Sequence, residues 1–145
     1  MRLTAHARTS ASPAQVWEVL GSPARWAEFE PFLRRVRGTQ RAAATGQTLV
    51  GVSRVGGVAV PLDVLEVVPG SRLVLRVHTA PGVRQTMAFE VLPTVRGGSD
   101  LRLAVVVEGL FARPAAGPLW LSGALTLRLL AARCDRAVRA ARRAA

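Results

Sequence analysis

Four polar side chains fall among apolar neighbours when strand and helix periods are laid on the chain: Arg54, Asp63, Gln85 and Thr126. An arginine so placed can polarise a carbonyl and stabilise an enolate. An aspartate there can move a proton, helped by a pKa raised through burial. Arg54 and Asp63 are therefore the catalytic pair expected if the chain is an enzyme. Gln85 and Thr126 add hydrogen-bonding points. A buried, unpaired Asp or Arg is costly, so these groups must meet water, each other or a ligand. Arg54 lies near a hairpin tip, where solvent is the alternative. For Asp63 the alternative is the outer face of its strand.

Other chemistries find little to work with. Cys134 is the only cysteine, so neither an internal disulfide nor a cysteine metal cluster can form. On a helix it reads as a small buried hydrophobe, not a nucleophile. His6 and His78 are the only histidines; they share strand parity with Arg2 and Arg8, and with Arg72 and Arg76, which exposes them. Gly56-Gly57 and Gly97-Gly98 are hairpin turns, not a phosphate-cradling loop before a helix. No metal and no cofactor are expected.

The elements that must position these groups follow from local signals. Leu3, Ala5 and Ala7 alternate as a first strand. Ser12-Pro13 and Ser22-Pro23 are helix starts, a capping hydroxyl followed by a proline in the first helical position. Two short helices therefore follow the first strand. Residues 32–38 form a second strand and 39–46 a small-residue loop. From Gln47 onward strands alternate with turns: 47–54, 58–67, 72–79, 83–92 and 100–109. Short turns make neighbours antiparallel. Residues 110–118, with two prolines and a glycine, read as a connector, and 119–143 as one long helix.

A period of two assigns faces. Leu73, Leu75 and Val77 point in, opposite Arg72 and Arg76. Gln85, Met87, Phe89 and Val91 share one inward parity, and Leu101, Leu103, Val105 and Val107 another. In 58–67 both faces are apolar; Glu66 outward puts Asp63, Leu65 and Val67 inward, and pairing across Gly56-Gly57 brings Val50, Val52 and Arg54 with them. Val77 then falls opposite Gln85, and Gln85 opposite Val107. On the long helix the inward stripe is Leu119, Gly123, Thr126, Leu127, Leu130, Cys134, Ala137 and Ala141. Arg128, Asp135, Arg136, Arg139, Arg142 and Arg143 take the other side. Leu121, Leu125 and Leu129 lie off the stripe, to be buried under loops, in a subunit contact or against a membrane. Trp17 reads as core. Trp26, Phe29 and Phe32 are candidates for a pocket wall, and Trp120 for its cap.

The formal charge of +11 invites a nucleic-acid partner. All 20 basic residues are arginine, however, and Ile, Asn and Tyr are absent. That pattern is what a GC-rich genome's codons produce, without any binding demand. No apolar run has transmembrane length and the N-terminus lacks a signal-peptide pattern, which predicts a cytoplasmic protein without stable membrane insertion.

The strand–helix–helix opening, its tryptophans and the Phe29-Glu30-Pro31-Phe32 run resemble the START-like superfamily (SRPBCC, the polyketide cyclase/dehydrase and lipid-transport group). So do Leu65 to Leu75, with Pro69-Gly70 between two strands, and Phe89 to Pro93 followed by Gly97-Gly98-Ser99-Asp100-Leu101. The resemblance covers the whole chain and implies one α+β domain, 1–145, of the helix-grip type. In that fold a curved antiparallel sheet of about seven strands wraps a long C-terminal helix, with two short helices after the first strand and a cavity between sheet and helix. Members bind lipids, polyketides, quinones or other hydrophobic molecules, and some are cyclases or aromatases. The first expectation is thus a carrier or binder of a small hydrophobic molecule, monomeric or homodimeric, with no specific nucleic-acid partner. Its ligand would touch Trp26, Phe29, Phe32, Val52, Arg54, Asp63, Leu75, Val77, Gln85, Met87, Phe89, Val105, Leu119, Thr126 and Leu130. The alternatives are a polyketide cyclase or aromatase using the same cavity, and an interaction module using the arginine-rich helix.

Overall fold

The computed structural model describes residues 2–37 and 41–145; the start of the expected 39–46 loop lies outside them. Seven strands form one antiparallel sheet: β1 (Arg2–Thr9), β2 (Leu33–Arg37), β3 (Thr48–Ser53), β4 (Ala59–Val68), β5 (Arg72–Ala80), β6 (Val83–Pro93) and β7 (Ser99–Glu108). Their order across the sheet is β1-β7-β6-β5-β4-β3-β2. Only the pairing of β1 with β7 joins strands distant in sequence, so the chain meanders outward from β7 and the first strand completes the far edge.

The opening behaves as its capping residues dictate. Helix α1 (Pro13–Leu20) starts at Ser12, whose hydroxyl accepts from the Gln15 N–H, while the Gln15 side chain accepts from the Ser12 N–H. The second short helix is a 3-10 helix over Pro23–Glu28. The first packs against β6 and the second against β2.

The long helix α2 spans Ala112–Ala144, seven residues earlier than the sequence suggests. Residues 112–118 are therefore helix, not connector. Pro114 sits in the first turn, where its missing N–H has no intrahelical partner to lose. Pro118 lies inside the helix and forgoes one bond there. The buried stripe is Ala116, Gly123, Thr126, Leu127, Leu130, Ala131, Cys134 and Val138. It drifts around the cylinder relative to the expected set, so that Val138 is buried while Ala137 and Ala141 are exposed. By length and composition α2 is apolar enough to cross a membrane. Here it is the core helix of the grip, with Leu127 and Leu130 buried against the sheet.

Two contacts clamp α2. A side chain at Gly123 would put its Cβ 3.2 Å from Leu103 Cδ2 and 3.3 Å from Val105 Cγ2, so glycine lets helix and sheet approach closely. Farther along, Asp135 Oδ1 accepts from Thr9 Oγ1 (2.7 Å), Ser10 N (2.9 Å) and Ser10 Oγ (3.0 Å). Burial alone would raise the Asp135 pKa, but these bonds outweigh it and hold the carboxyl below its ordinary value.

The strand faces agree with the period of two in β5, β6 and β7. Val77 pairs with Gln85, and Gln85 with Val107. In β4 they do not. The register shifts between Val64 and Glu66, a β-bulge at Leu65. One extra residue reverses the parity upstream of it. Val67, beyond the bulge, packs against the core as expected, but before it Leu62 and Val64 point inward and Asp63 points out. The error passes through the next hairpin: Leu49 pairs with Leu62, and Gly51 with Val60, so Leu49, Gly51 and Ser53 take the concave face in place of Val50, Val52 and Arg54.

Candidate functional site

Helix α2 packs mainly on β1 and β7 and only touches β6, which leaves the concave face of β3 to β5 and most of β6 uncovered by it. The 3-10 helix and the segment after it close over that area. Between them lies a cavity of about 420 Å³. Its floor is Leu62 from β4, Leu73, Leu75 and Val77 from β5, and Gln85, Met87 and Phe89 from β6. Trp26, Phe29, Glu30 and Phe32 form one wall; Leu119, Ser122, Gly123 and Thr126 of α2 form the other. Trp26 is fixed by its indole N–H, which donates to Leu20 O at 2.8 Å.

Ten of the expected ligand contacts thus line the cavity: Trp26, Phe29, Phe32, Leu75, Val77, Gln85, Met87, Phe89, Leu119 and Thr126. Five do not. Val105 and Leu130 are buried where α2 meets β7, spent on helix–sheet packing. Val52 is buried but lies on the opposite face of β3, outside the main core. Arg54 is exposed in the β3–β4 turn. Asp63 is on the outer face, where its Oδ2 lies 3.0 Å from His78 Nε2. The expected catalytic pair therefore does not reach the cavity. Trp120 does not cap the mouth either; its indole N–H donates to Thr4 O of β1 at 2.9 Å.

The acid that does reach the cavity is Glu30, which the sequence reading passed over. It stands in the irregular chain between the 3-10 helix and β2, where no periodicity assigns a face. The available signal was a carboxylate inside the aromatic run Phe29 to Phe32. Glu30 Oε2 is 2.6 Å from Thr126 Oγ1, and Oε1 accepts from the Phe32 N–H at 3.3 Å. Burial raises the Glu30 pKa above its ordinary 4.5, and the bonds from Thr126 and Phe32 only partly oppose that. Thr126 Oγ1 is also 2.9 Å from Ser122 O. One hydroxyl proton cannot serve both neighbours. With Glu30 ionised, Thr126 donates to one of them; with Glu30 protonated, the chain Glu30 to Thr126 to Ser122 can be complete. Among the described residues, Glu30 is the only titratable one in the lining.

Cys134 is buried near the far end of α2, and burial, with Asp135 beside it, pushes its pKa up to about 11. A thiol so held stays protonated near neutrality, which disfavours a nucleophilic role. Among the described residues no group of His, Cys, Asp and Glu is placed to hold a metal.

A seven-stranded antiparallel sheet gripping a long C-terminal helix, with an apolar cavity between them, defines a helix-grip protein of the START-like (SRPBCC) class. Comparison with known sequences agrees: the chain belongs to the family described as polyketide cyclase / dehydrase and lipid transport, whose model matches residues 1–145. Among curated proteins none matches in sequence. Solved structures similar to this one include a Mesorhizobium loti protein at 22% identity, covering 94% of this chain and 98% of that one, with TM-score 0.76. The Zhui aromatase/cyclase from a Streptomyces species is 18% identical, covering 97% of each chain, with TM-score 0.75. A Rhodobacter sphaeroides protein is 25% identical, covering 97% of this chain and 93% of that one, with TM-score 0.68.

Proposed function

We propose that the chain, acting as one domain over 1–145, binds and carries a small hydrophobic molecule in this cavity. The observation behind the reading is a mainly apolar chamber of about 420 Å³ whose polar groups include the hydrogen-bonded Glu30–Thr126 pair on one side and Gln85 on the floor. Apolar burial supplies affinity, at roughly 25 cal/mol per Å², and the polar groups, with the Glu30–Thr126 pair as anchor, supply orientation. Among the described residues the lining holds an acid and no base. That favours neutral ligands with a carbonyl or hydroxyl, such as polyketide- or quinone-like molecules and uncharged lipids, over fatty-acid anions. Nucleic acid is not a specific partner in this reading, and the protein works in the cytoplasm as a monomer or homodimer. The test is native mass spectrometry of protein purified from its own host. A neutral hydrophobic adduct that Met87→Trp excludes is the expected result; an adduct retained by that variant overturns the assignment to this cavity.

The position of Glu30 also favours an enzymatic second reading. A carboxyl whose protonated form is favoured by burial can act as a general acid toward a ligand carbonyl during cyclisation or dehydration. Glu30 takes over the role first expected of Arg54 and Asp63. Under this reading Glu30→Gln abolishes turnover of a poly-β-ketone substrate while leaving its binding intact; unchanged turnover removes Glu30 from the chemistry.

A further inference from the structure

The cavity opens at one end of the molecule. Among its lining residues only Phe32, Thr79 and Pro118 are exposed, and they mark the mouth. The β3–β4 turn, the β5–β6 turn, the β7–α2 connection and the first turns of α2 converge on the same end.

This end is apolar to an extent that folding alone does not require. Val55 and Val58 are exposed in the β3–β4 turn. Leu110 and Phe111 are exposed beside the start of α2, Leu110 at 92%. Leu121, at 62%, and Leu125 continue the patch along the helix. These are the leucines off the buried stripe, and among the described residues no loop covers them. At the other end of the sheet, Val68 and Val95 are the exposed large hydrophobics among the described residues. Soluble proteins seldom gather apolar side chains on the surface without a partner.

Charge identifies the partner. Arg2, Arg54 and Arg113 are exposed at this end and make no ion pair among the described residues. Arg84 is matched by Glu108 at 3.1 Å. Exposed apolar side chains interleaved with unpaired arginines are what an anionic bilayer surface recognises: the apolar groups enter the acyl boundary and the guanidinium groups stay with the headgroups. We propose that the mouth end docks peripherally on anionic lipid membranes. The long helix does not insert, because its buried stripe stays with the sheet. In the docked state the mouth faces the bilayer, and ligand passes between membrane and cavity without crossing water; this last step rests on the cavity reading above.

The test is co-sedimentation with phosphatidylcholine vesicles, with and without phosphatidylglycerol, at low and high salt. The expected result is binding to the phosphatidylglycerol vesicles that weakens with salt. The double variant Leu110→Ser, Leu121→Ser should lose at least tenfold in binding. Arg54→Gln and Arg113→Gln should each lose about fivefold, on anionic vesicles only. All four positions are exposed, so melting temperatures should match the parent. Absence of vesicle binding overturns the proposal. So does binding indifferent to the leucine variants, which assigns adsorption to the arginines of the last turns of α2. A dimer that the leucine variants dissociate, without lipid binding, assigns the patch to a second copy of the chain. Met87→Trp should still bind vesicles, which keeps failure of docking separate from failure of the cavity reading.

Discussion

Replacing Glu30 with glutamine should make the protein more stable at neutral pH, and the gain should depend on pH in a defined way. Glu30 is desolvated in the folded protein, which raises its pKa above 4.5. Above pH 4.5 the unfolded chain gives up this proton while the folded chain keeps it. The contribution of the group is therefore fully present below pH 4.5 and is lost as pH rises through the folded value. One proton sets the limiting slope, about 1.4 kcal/mol per pH unit. For a domain of this size each kcal/mol moves the melting temperature by about 3–4 °C. Glutamine keeps the shape: its carbonyl oxygen can accept from the Phe32 N–H while its NH2 donates to Thr126 Oγ1, whose own proton goes to Ser122 O, and it does not titrate. The Tm difference between Glu30→Gln and parent should therefore be flat below pH 4.5. It should then grow by up to about 5 °C per pH unit and level off above the folded pKa. Calorimetric melts from pH 4 to 8 measure it directly. A difference that is constant with pH would mean that Glu30 titrates as a solvated carboxylate, and the anchor would be lost from the account.

Three further perturbations probe the frame around the cavity. Leu130→Asp places an unpaired charge at a fully buried position under α2 and should cost several kcal/mol; a parental melt would show that the helix phase is wrong. Asp135→Asn weakens three hydrogen bonds to Thr9 and Ser10 and should cost about 1–3 kcal/mol. Because the Asp135 pKa is lowered, its stabilisation is present above the ordinary carboxylate value and lost as pH falls through the folded one. The parent's advantage over Asp135→Asn should thus shrink in acid, and an advantage that persists there contradicts the assignment. Gly82→Ala combines a positive φ of 77° with a Cβ only 2.8 Å from Phe111 Cδ2. It should destabilise by about 1–3 kcal/mol and shift the Phe111 ring, visible in aromatic NMR contacts.

The parts of the fold that are legible in sequence are those with an unambiguous outside. Arg72 and Arg76 mark the outer face of β5, and Arg102 and Glu108 that of β7, so the inward residues follow. In β4 both faces are apolar, and the bulge at Leu65 leaves no mark in the sequence. A single unseen residue therefore sent Asp63 to the wrong side and took Val52 and Arg54 with it. The start of α2 was hidden by Pro114 and Pro118, which local rules read as breakers although a first turn tolerates proline. Glu30 was missed for a different reason: irregular chain has no period, and only tertiary closure brings it beside Thr126.

A hydrophobic ligand in the chamber beneath the 3-10 helix is what the proposed function requires. Fluorescence titration of the folded protein with an environment-sensitive hydrophobic probe, parent against Met87→Trp, tests it most directly. Met87 lines the floor of the cavity and is otherwise buried, so the larger indole should fill the space. Saturable binding of one probe per chain in the parent, and none in a Met87→Trp variant of comparable Tm, is the expected result. Equal binding by both proteins would contradict it.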